Sequence, residues 1–177
     1  MKRNNIYSIS SILLAALLIA FGGCIKENEL EERNWQLVWQ DEFDTDGAPD
    51  ASKWMYETGR GPNGDGWGNA ELQAYTDEPE NVVVEDGVLK ITALRSGNTF
   101  TSARITTKGL FEQAYGKFEA RIKMPYGPGI WPAFWMLGAD IDTNPWPQCG
   151  EIDIMEYRGQ EPHIIHGSLH GPGYSGG

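Results

Sequence analysis

Cysteine is nearly absent: the 177-residue chain has two, Cys24 and Cys149. Two thiols build neither a disulfide framework nor a four-cysteine zinc site. Basic charge is also scarce, with 14 Lys and Arg against 25 Asp and Glu for a net charge of -11. That balance excludes nucleic acid as a partner, because phosphate backbones need a basic face. Long apolar runs are missing too. The one unbroken stretch, Ile12 to Phe21, has 10 residues, about half of what crosses a bilayer. No segment keeps a helical period for long, and there is no internal repeat. What the chain does have is turn chemistry: 22 Gly and 10 Pro without a fixed spacing. That density suits short strands joined by turns. At roughly 150 residues per domain, the length allows one domain.

The N-terminus reads as an address. Met1-Lys2-Arg3 is a positive n-region and Ile12 to Phe21 a signal-peptide h-region. Gly22-Gly23-Cys24 follows, and small residues just before a Cys resemble a bacterial lipoprotein cleavage box. That resemblance implies removal of residues 1–23, a lipid on Cys24 and a protein anchored in the cell envelope outside the cytoplasm. An ordinary secretory signal cut nearby is the alternative. Residues 24–34 are polar and charged and read as a tether. Without the leader the chain has 12 basic and 25 acidic residues, a net of -13. Residues 35–177 remain for the fold.

Lys117 to Met124 alternates cleanly, with Phe118, Ala120, Ile122 and Met124 on one side, and so predicts a half-buried strand. Asn81 to Val84 and Val88 to Thr92 flank Asp86-Gly87 and predict a hairpin. Phe100–Thr107, Ile130–Leu137, Glu151–Tyr157 and Ile164–His170 read as further strands. The fold class expected is all-β, a sandwich of antiparallel sheets. Gly171–Gly177 reads as a loop with nothing after it to pack, which suggests a chain truncated at its C-terminus.

Glu151, Asp153 and Glu156 place three acids in an apolar, β-prone run. Acids in such a run are costly to bury. A solvated strand face is the plain explanation; three acids among aromatics favour chemistry. Glu151 and Asp153 share a face, whereas Glu156 falls on the opposite face of a regular strand. A one-residue bulge near Ile154-Met155 restores its phase. Two Glu side chains leaning together across that strand can bring their carboxyls to about 5–5.5 Å, the separation of retaining glycosidases. Asp153 then sits against Glu151 and shares its proton. Trp131 and Trp135 have one parity and Phe134 and Met136 the other, so the two indoles can serve as platforms for the apolar faces of sugar rings.

Glu151-Ile152-Asp153-Ile154-Met155-Glu156 resembles the bulged E-x-D-x-x-E signature of glycoside hydrolase family 16, laminarinase branch. The resemblance extends over Trp39–Phe43, Gly68–Thr76, Tyr115–Lys123, Trp131–Gly138 and His166–Pro172. It implies a concanavalin A-like β-jelly-roll with a cleft across one sheet, incomplete in this chain, and a monomer. It implies Glu151 as nucleophile, Glu156 as general acid and then base, and Asp153 as the residue that orients Glu151. Trp131 and Trp135 would line sugar subsites, and Arg104, His170 and Asn69 would contact substrate. The substrate implied is a laminarin-like β-1,3-glucan or a mixed-linkage β-glucan. No cofactor is implied. A structural Ca2+ with Glu42 as a first ligand belongs to a longer protein, and no metal is expected in this chain. Cys149 is expected to be a small buried residue.

Three rival readings compete with this one. A metalloenzyme would use His163, His166 and His170, but on a strand only the last two share a face. A noncatalytic carbohydrate-binding sandwich on the cell surface would keep the Trp platform without needing the acid pair. A purely structural surface lipoprotein leaves the acids and indoles unexplained.

Overall fold

Residues 34–176 are described in the computed structural model. Cys24, the leader and all of the tether except Asn34 lie outside them. From Leu37 onward the chain forms one compact unit. Its strands are β1 (Met55–Tyr56), β2 (Gln73–Tyr75), β3 (Val82–Glu85), β4 (Val88–Ile91), β5 (Leu94–Ser96), β6 (Thr99–Ser102), β7 (Ile105–Thr106), β8 (Ala133–Leu137), β9 (Glu151–Tyr157), β10 (Ile165–Gly171) and β11 (Tyr174–Gly176).

The expected hairpin is β3–β4, closed by the pair Glu85 and Val88. Asp86 and Gly87 both have positive φ, 57° and 71°, the backbone that a two-residue turn matched to strand twist requires. Asn81 anchors the hairpin from inside. Its amide donates to Thr92 O at 2.8 Å and accepts from Thr76 Oγ1 at 2.7 Å. It is 3% exposed, so both bonds replace water it has lost.

The sheet that matters for function is β11-β10-β9-β8, antiparallel throughout. β11 replaces most of the loop expected over Gly171–Gly177. Pro172 and Gly173, the latter at φ 83°, fold Tyr174–Gly176 back onto β10. Pro followed by Gly suits the second and third positions of a type II turn. A Cβ at residue 171 would lie 2.3 Å from the Tyr174 hydroxyl, so the glycine lets that ring fold over the turn.

Two further expectations fail. Lys117–Met124 belongs to no strand. Its alternation is real in space, since Phe118, Ala120, Ile122 and Met124 line an apolar groove with Phe134 and Ile154. Alternation sets which side faces apolar surface; a ladder also needs a hydrogen-bonded neighbour, and no described strand pairs with this segment. Phe100–Thr107 is two strands, because Ala103 and Arg104 carry the chain from β6 to β7, which pairs with β1. β6 runs parallel to β2 and antiparallel to β5, so the sheets are not all antiparallel as expected.

The core within the described residues is small. Val82, Val84, Ala103 and Tyr157 are its buried apolar members. Ile152, Ile154, Ile165 and Leu169 alternate with the acid-bearing face of β9 and β10 and stay 36–55% exposed.

Candidate active site

The bulge expected in β9 is present. Phe134 pairs with Met155 and Trp135 with Asp153, which leaves Ile154 as the extra residue. On the other side His166 pairs with Glu156 and Ser168 with Asp153, so β9 spends three residues where β10 spends two. This offset returns Glu156 to the face of Glu151 and Asp153. Contacts across that face agree. Ser168 Oγ donates to Glu156 Oε2 at 3.3 Å, and His170 Nε2 lies 3.1 Å from Asp153 Oδ2. Ser168 and His170 are two apart on a regular strand and point the same way.

Asp153 is buried at 6% exposure. Glu151, Asp153 and His170 have polar atoms within 4.8 Å of one another. Burial pushes the Glu151 carboxyl above its ordinary value, and the Asp153 charge and a hydrogen bond from that pair push it further. His170 and a hydrogen bond with Trp146 pull it partly back. When Asp153 is ionised it only accepts, so His170 Nε2 carries the proton, and Nδ1 takes a bond from Ser175 Oγ at 2.8 Å. Glu151 and Asp153 thus form a coupled acid pair with an imidazole behind it.

Glu156 stands in a different setting. Trp131 Nε1 donates to Glu156 Oε1 at 2.9 Å and Ser168 takes the other oxygen. Trp131, expected as a sugar platform, therefore holds the acid with its ring edge; its ring is half exposed. Trp135 stands opposite Asp153 on β8, but the Arg104 guanidinium lies 4.7 Å from its centroid and 4.3 Å from that of Trp67. Arg104 is clamped there by Glu57, Nε to Oε2 2.5 Å. Asn69 lies in the turn Gly66–Ala70 and donates to Glu71 Oε1 at 3.3 Å. Gln73 and Tyr75 donate to the other Glu71 oxygen, each at 2.6 Å. Burial and this carboxylate push the Tyr75 hydroxyl up to about 12. Asn69 thus joins a polar cluster around Glu71, with no contact to the acids given by its bonds.

Sequence reasoning missed four participants. Trp146, half exposed, hydrogen-bonds Glu151 and sits with its ring 5.9 Å from that of His170. Ser168 had a usable signal, since His166, Ser168 and His170 put three polar side chains on one strand face. Glu57 and Trp67 had none, because their contact with Arg104 joins positions far apart in the chain. Cys149 is half-buried rather than buried.

Among the described residues, Glu151, Asp153 and His170 are the group of His, Cys, Asp and Glu close enough to share an ion. Two carboxylates and an imidazole do not make the six to eight oxygens that Ca2+ takes. Glu42, the ligand implied for a Ca2+ site, is exposed. His166 bonds Arg158 and Glu161 instead of joining His170, so the three-histidine arrangement does not form.

Comparison with known proteins agrees with this geometry. Residues 69–177 match the model of the glycosyl hydrolases family 16. A beta-glucanase of Rhodothermus marinus is 48% identical over 149 residues, covering 80% of this chain and 50% of that protein. A glucan endo-1,3-beta-glucosidase of Cryptopygus antarcticus is 46% identical, covering 77% and 51%. The crystal structure of a laminarinase from Flavobacterium sp. UMI-01 superposes with a TM-score of 0.72 at 52% identity, covering 76% of this chain and 57% of that one. The β-sandwich is therefore the jelly-roll of these enzymes. The chain spans about half the length of the relatives it matches. With its family model, its bulged acid strand and its structural neighbours in agreement, the chain belongs to glycosyl hydrolase family 16.

Proposed function

We propose that the full-length protein is a retaining glycoside hydrolase that cleaves β-1,3-glucan or mixed-linkage β-glucan within the chain by double displacement. The observation that carries the reading is the Ile154 bulge, which puts Glu156 on the face of Glu151 and Asp153. In the first step the Glu151 carboxylate attacks the anomeric carbon. Glu156 gives its proton to the glycosidic oxygen, the C–O bond breaks, and the reducing-end sugar leaves. A glycosyl ester on Glu151 remains. In the second step Glu156, now ionised, takes a proton from water, whose oxygen displaces Glu151.

Asp153 and His170 hold Glu151 and tune its proton; Trp131 and Ser168 hold Glu156. Trp135, Arg104 and Asn69 belong to the substrate side of this reading. The Arg104 guanidinium on two indole faces offers its outer edge to sugar hydroxyls. No cofactor enters the reaction, and the protein acts as a monomer. The relatives named for β-glucan cleavage support the substrate. The leader and Cys24 support an extracytoplasmic lipoprotein of the bacterial cell envelope. Residues 35–177 would then be part of the catalytic domain, tethered through residues 24–34.

Incubating the full-length protein with laminarin and measuring new reducing ends tests the reading. Glu151→Gln should abolish turnover of every substrate. Glu156→Gln should slow poor leaving groups by about 10²–10⁴-fold and spare activated aryl glucosides. Normal turnover by Glu151→Gln sinks the role assignment. Tight laminarin binding without sugar release means a carbohydrate-binding protein.

A further inference from the structure

Ser175 of β11 has no part in the two displacement steps, yet it lies in register with the nucleophile. Leu137, Glu151, His170 and Ser175 stand opposite one another across β8, β9, β10 and β11. Residues directly opposed on antiparallel strands point to one face. Ser175 is therefore on the face of the acids, one strand beyond His170. Its Oγ lies 2.8 Å from His170 Nδ1, and the other ring nitrogen, Nε2, lies 3.1 Å from Asp153 Oδ2.

A strand as short as Tyr174–Gly176 does not choose its own register, and a slip of one residue would turn Ser175 to the far face. The turn chooses it instead. Gly171 and Tyr174 pair, so Pro172 and Gly173 are the whole of the loop. Gly173 takes φ 83° to close it, and the bare Cα of Gly171 leaves room for the Tyr174 ring. Residue 175 is thereby set against residue 170.

The bond is a weak device for stability, since Ser175 is exposed. Its value is in orientation. The Asp153 side chain is 5% exposed and the His170 side chain 19%, so the carboxylate depends on the imidazole for a donor. A neutral imidazole has one N–H and one lone pair. Held at Nε2 alone, the ring can turn about its Cβ–Cγ bond, which swaps Nε2 for Cε1 and leaves a C–H against the carboxylate. Held at both nitrogens, it cannot. We infer that Ser175 is a positioning residue for the nucleophile: its hydroxyl fixes the orientation and tautomer of His170, which keeps Nε2–H on Asp153 and Asp153 in place against Glu151. The inference rests on the glycosidase reading above. It makes β11 a working part of the active site, acting two residues away from the carboxylate that attacks.

Three substitutions in the full-length protein test it. Ser175→Val removes the hydroxyl and keeps a strand-forming side chain; Ser175→Ala removes it outright; Ser175→Thr keeps it. Val and Ala should each lower kcat/KM about three- to tenfold, the weight of one hydrogen bond. The loss should be the same on laminarin and on an activated aryl β-laminaribioside, because Ser175 acts on the Glu151 side and not on the proton given by Glu156. Thr should recover most of it. Nitrogen-15 NMR of the imidazoles, with the His170 signals identified by their loss in His170→Gln, reads the tautomer directly. The unaltered protein should show Nε2 protonated and Nδ1 bare, and Ser175→Val a mixture. A Val variant that keeps that pattern, or keeps full turnover, overturns the inference. So does a loss confined to laminarin, or one that Thr does not repair. If the unaltered protein hydrolyses neither substrate, the glycosidase reading falls and the positioning role with it; the nitrogen signals report the hydrogen bond in either case, which keeps the two failures apart.

Discussion

At the scale of single residues, the chemistry turns on why Glu151 is hard to ionise. Burial raises its pKa first and the Asp153 charge second. A nucleophile must be ionised, so turnover should fall as pH drops through the titration of Glu151, whose carboxyl burial raises. The acid limb of kcat/KM reports that ionisation. Asp153→Asn removes one of the raising influences and leaves burial and the lowering pull of His170 and Trp146. The Glu151 carboxyl then titrates lower, and the acid limb should move to lower pH as the maximal rate drops. A limb that stays in place or moves up would mean that Asp153 does not act on Glu151 by its charge. The sequence made Glu151, Asp153 and Glu156 legible because acids in a β-prone run are rare and parity is simple arithmetic. It made Trp131 legible as a site residue; parity places a side chain on a face, and only coordinates show that its N–H also holds Glu156. Trp146 was hidden because a loop residue has no parity at all.

At the scale of elements, one extra residue decides whether the acids meet. Ile154 is the unpaired position of β9, and its role as a phase shifter gives an asymmetric expectation. Deleting Ile154 leaves a regular strand on which Glu151, Asp153 and the former Glu156 fall at alternate positions, still on one face. Turnover of laminarin by that variant should stay well above that of Glu156→Gln. Inserting one Ala between Asp153 and Ile154 makes Glu156 i+6 from Glu151; on a regular strand it keeps its face but moves about 7 Å farther along than in the deletion variant, and should cost the full acid–base contribution, about 10²–10⁴-fold. Circular dichroism checks that both variants fold, and kcat/KM on laminarin decides. Equal losses from deletion and insertion would mean that the bulge does more than set phase. Periodicity and turn dipeptides carried most of the elements: the Asp86-Gly87 hairpin, β8, β9 and β10 were all legible. Lys117–Met124 shows a strand period without a strand, since a period names an apolar side and not a partner. β11 was not legible, since Tyr174–Gly176 is too short to show a period and exists through its pairing with β10.

At the scale of the whole molecule, charge and address belong together. The chain carries 25 acidic residues against 14 basic ones, and two of the basic ones, Lys2 and Arg3, stand in the leader. A domain of that sign is repelled by anionic lipid headgroups at short range, an effect screened beyond about 8 Å at physiological salt. No helix of the described residues is long and apolar enough to cross a membrane. The lipoprotein reading places the anchor at Cys24, as covalent lipid. In a bacterial host, Cys24→Ser should move the protein from the membrane fraction to the soluble envelope or medium, abolish incorporation of labelled palmitate, and leave laminarin turnover per molecule unchanged. High salt should release none of the unaltered protein, because a buried acyl chain contributes about 0.8 kcal/mol per methylene whatever the ionic strength. Release by salt alone, or palmitate retained by Cys24→Ser, would refute the anchor while leaving the acid strand and its chemistry untouched.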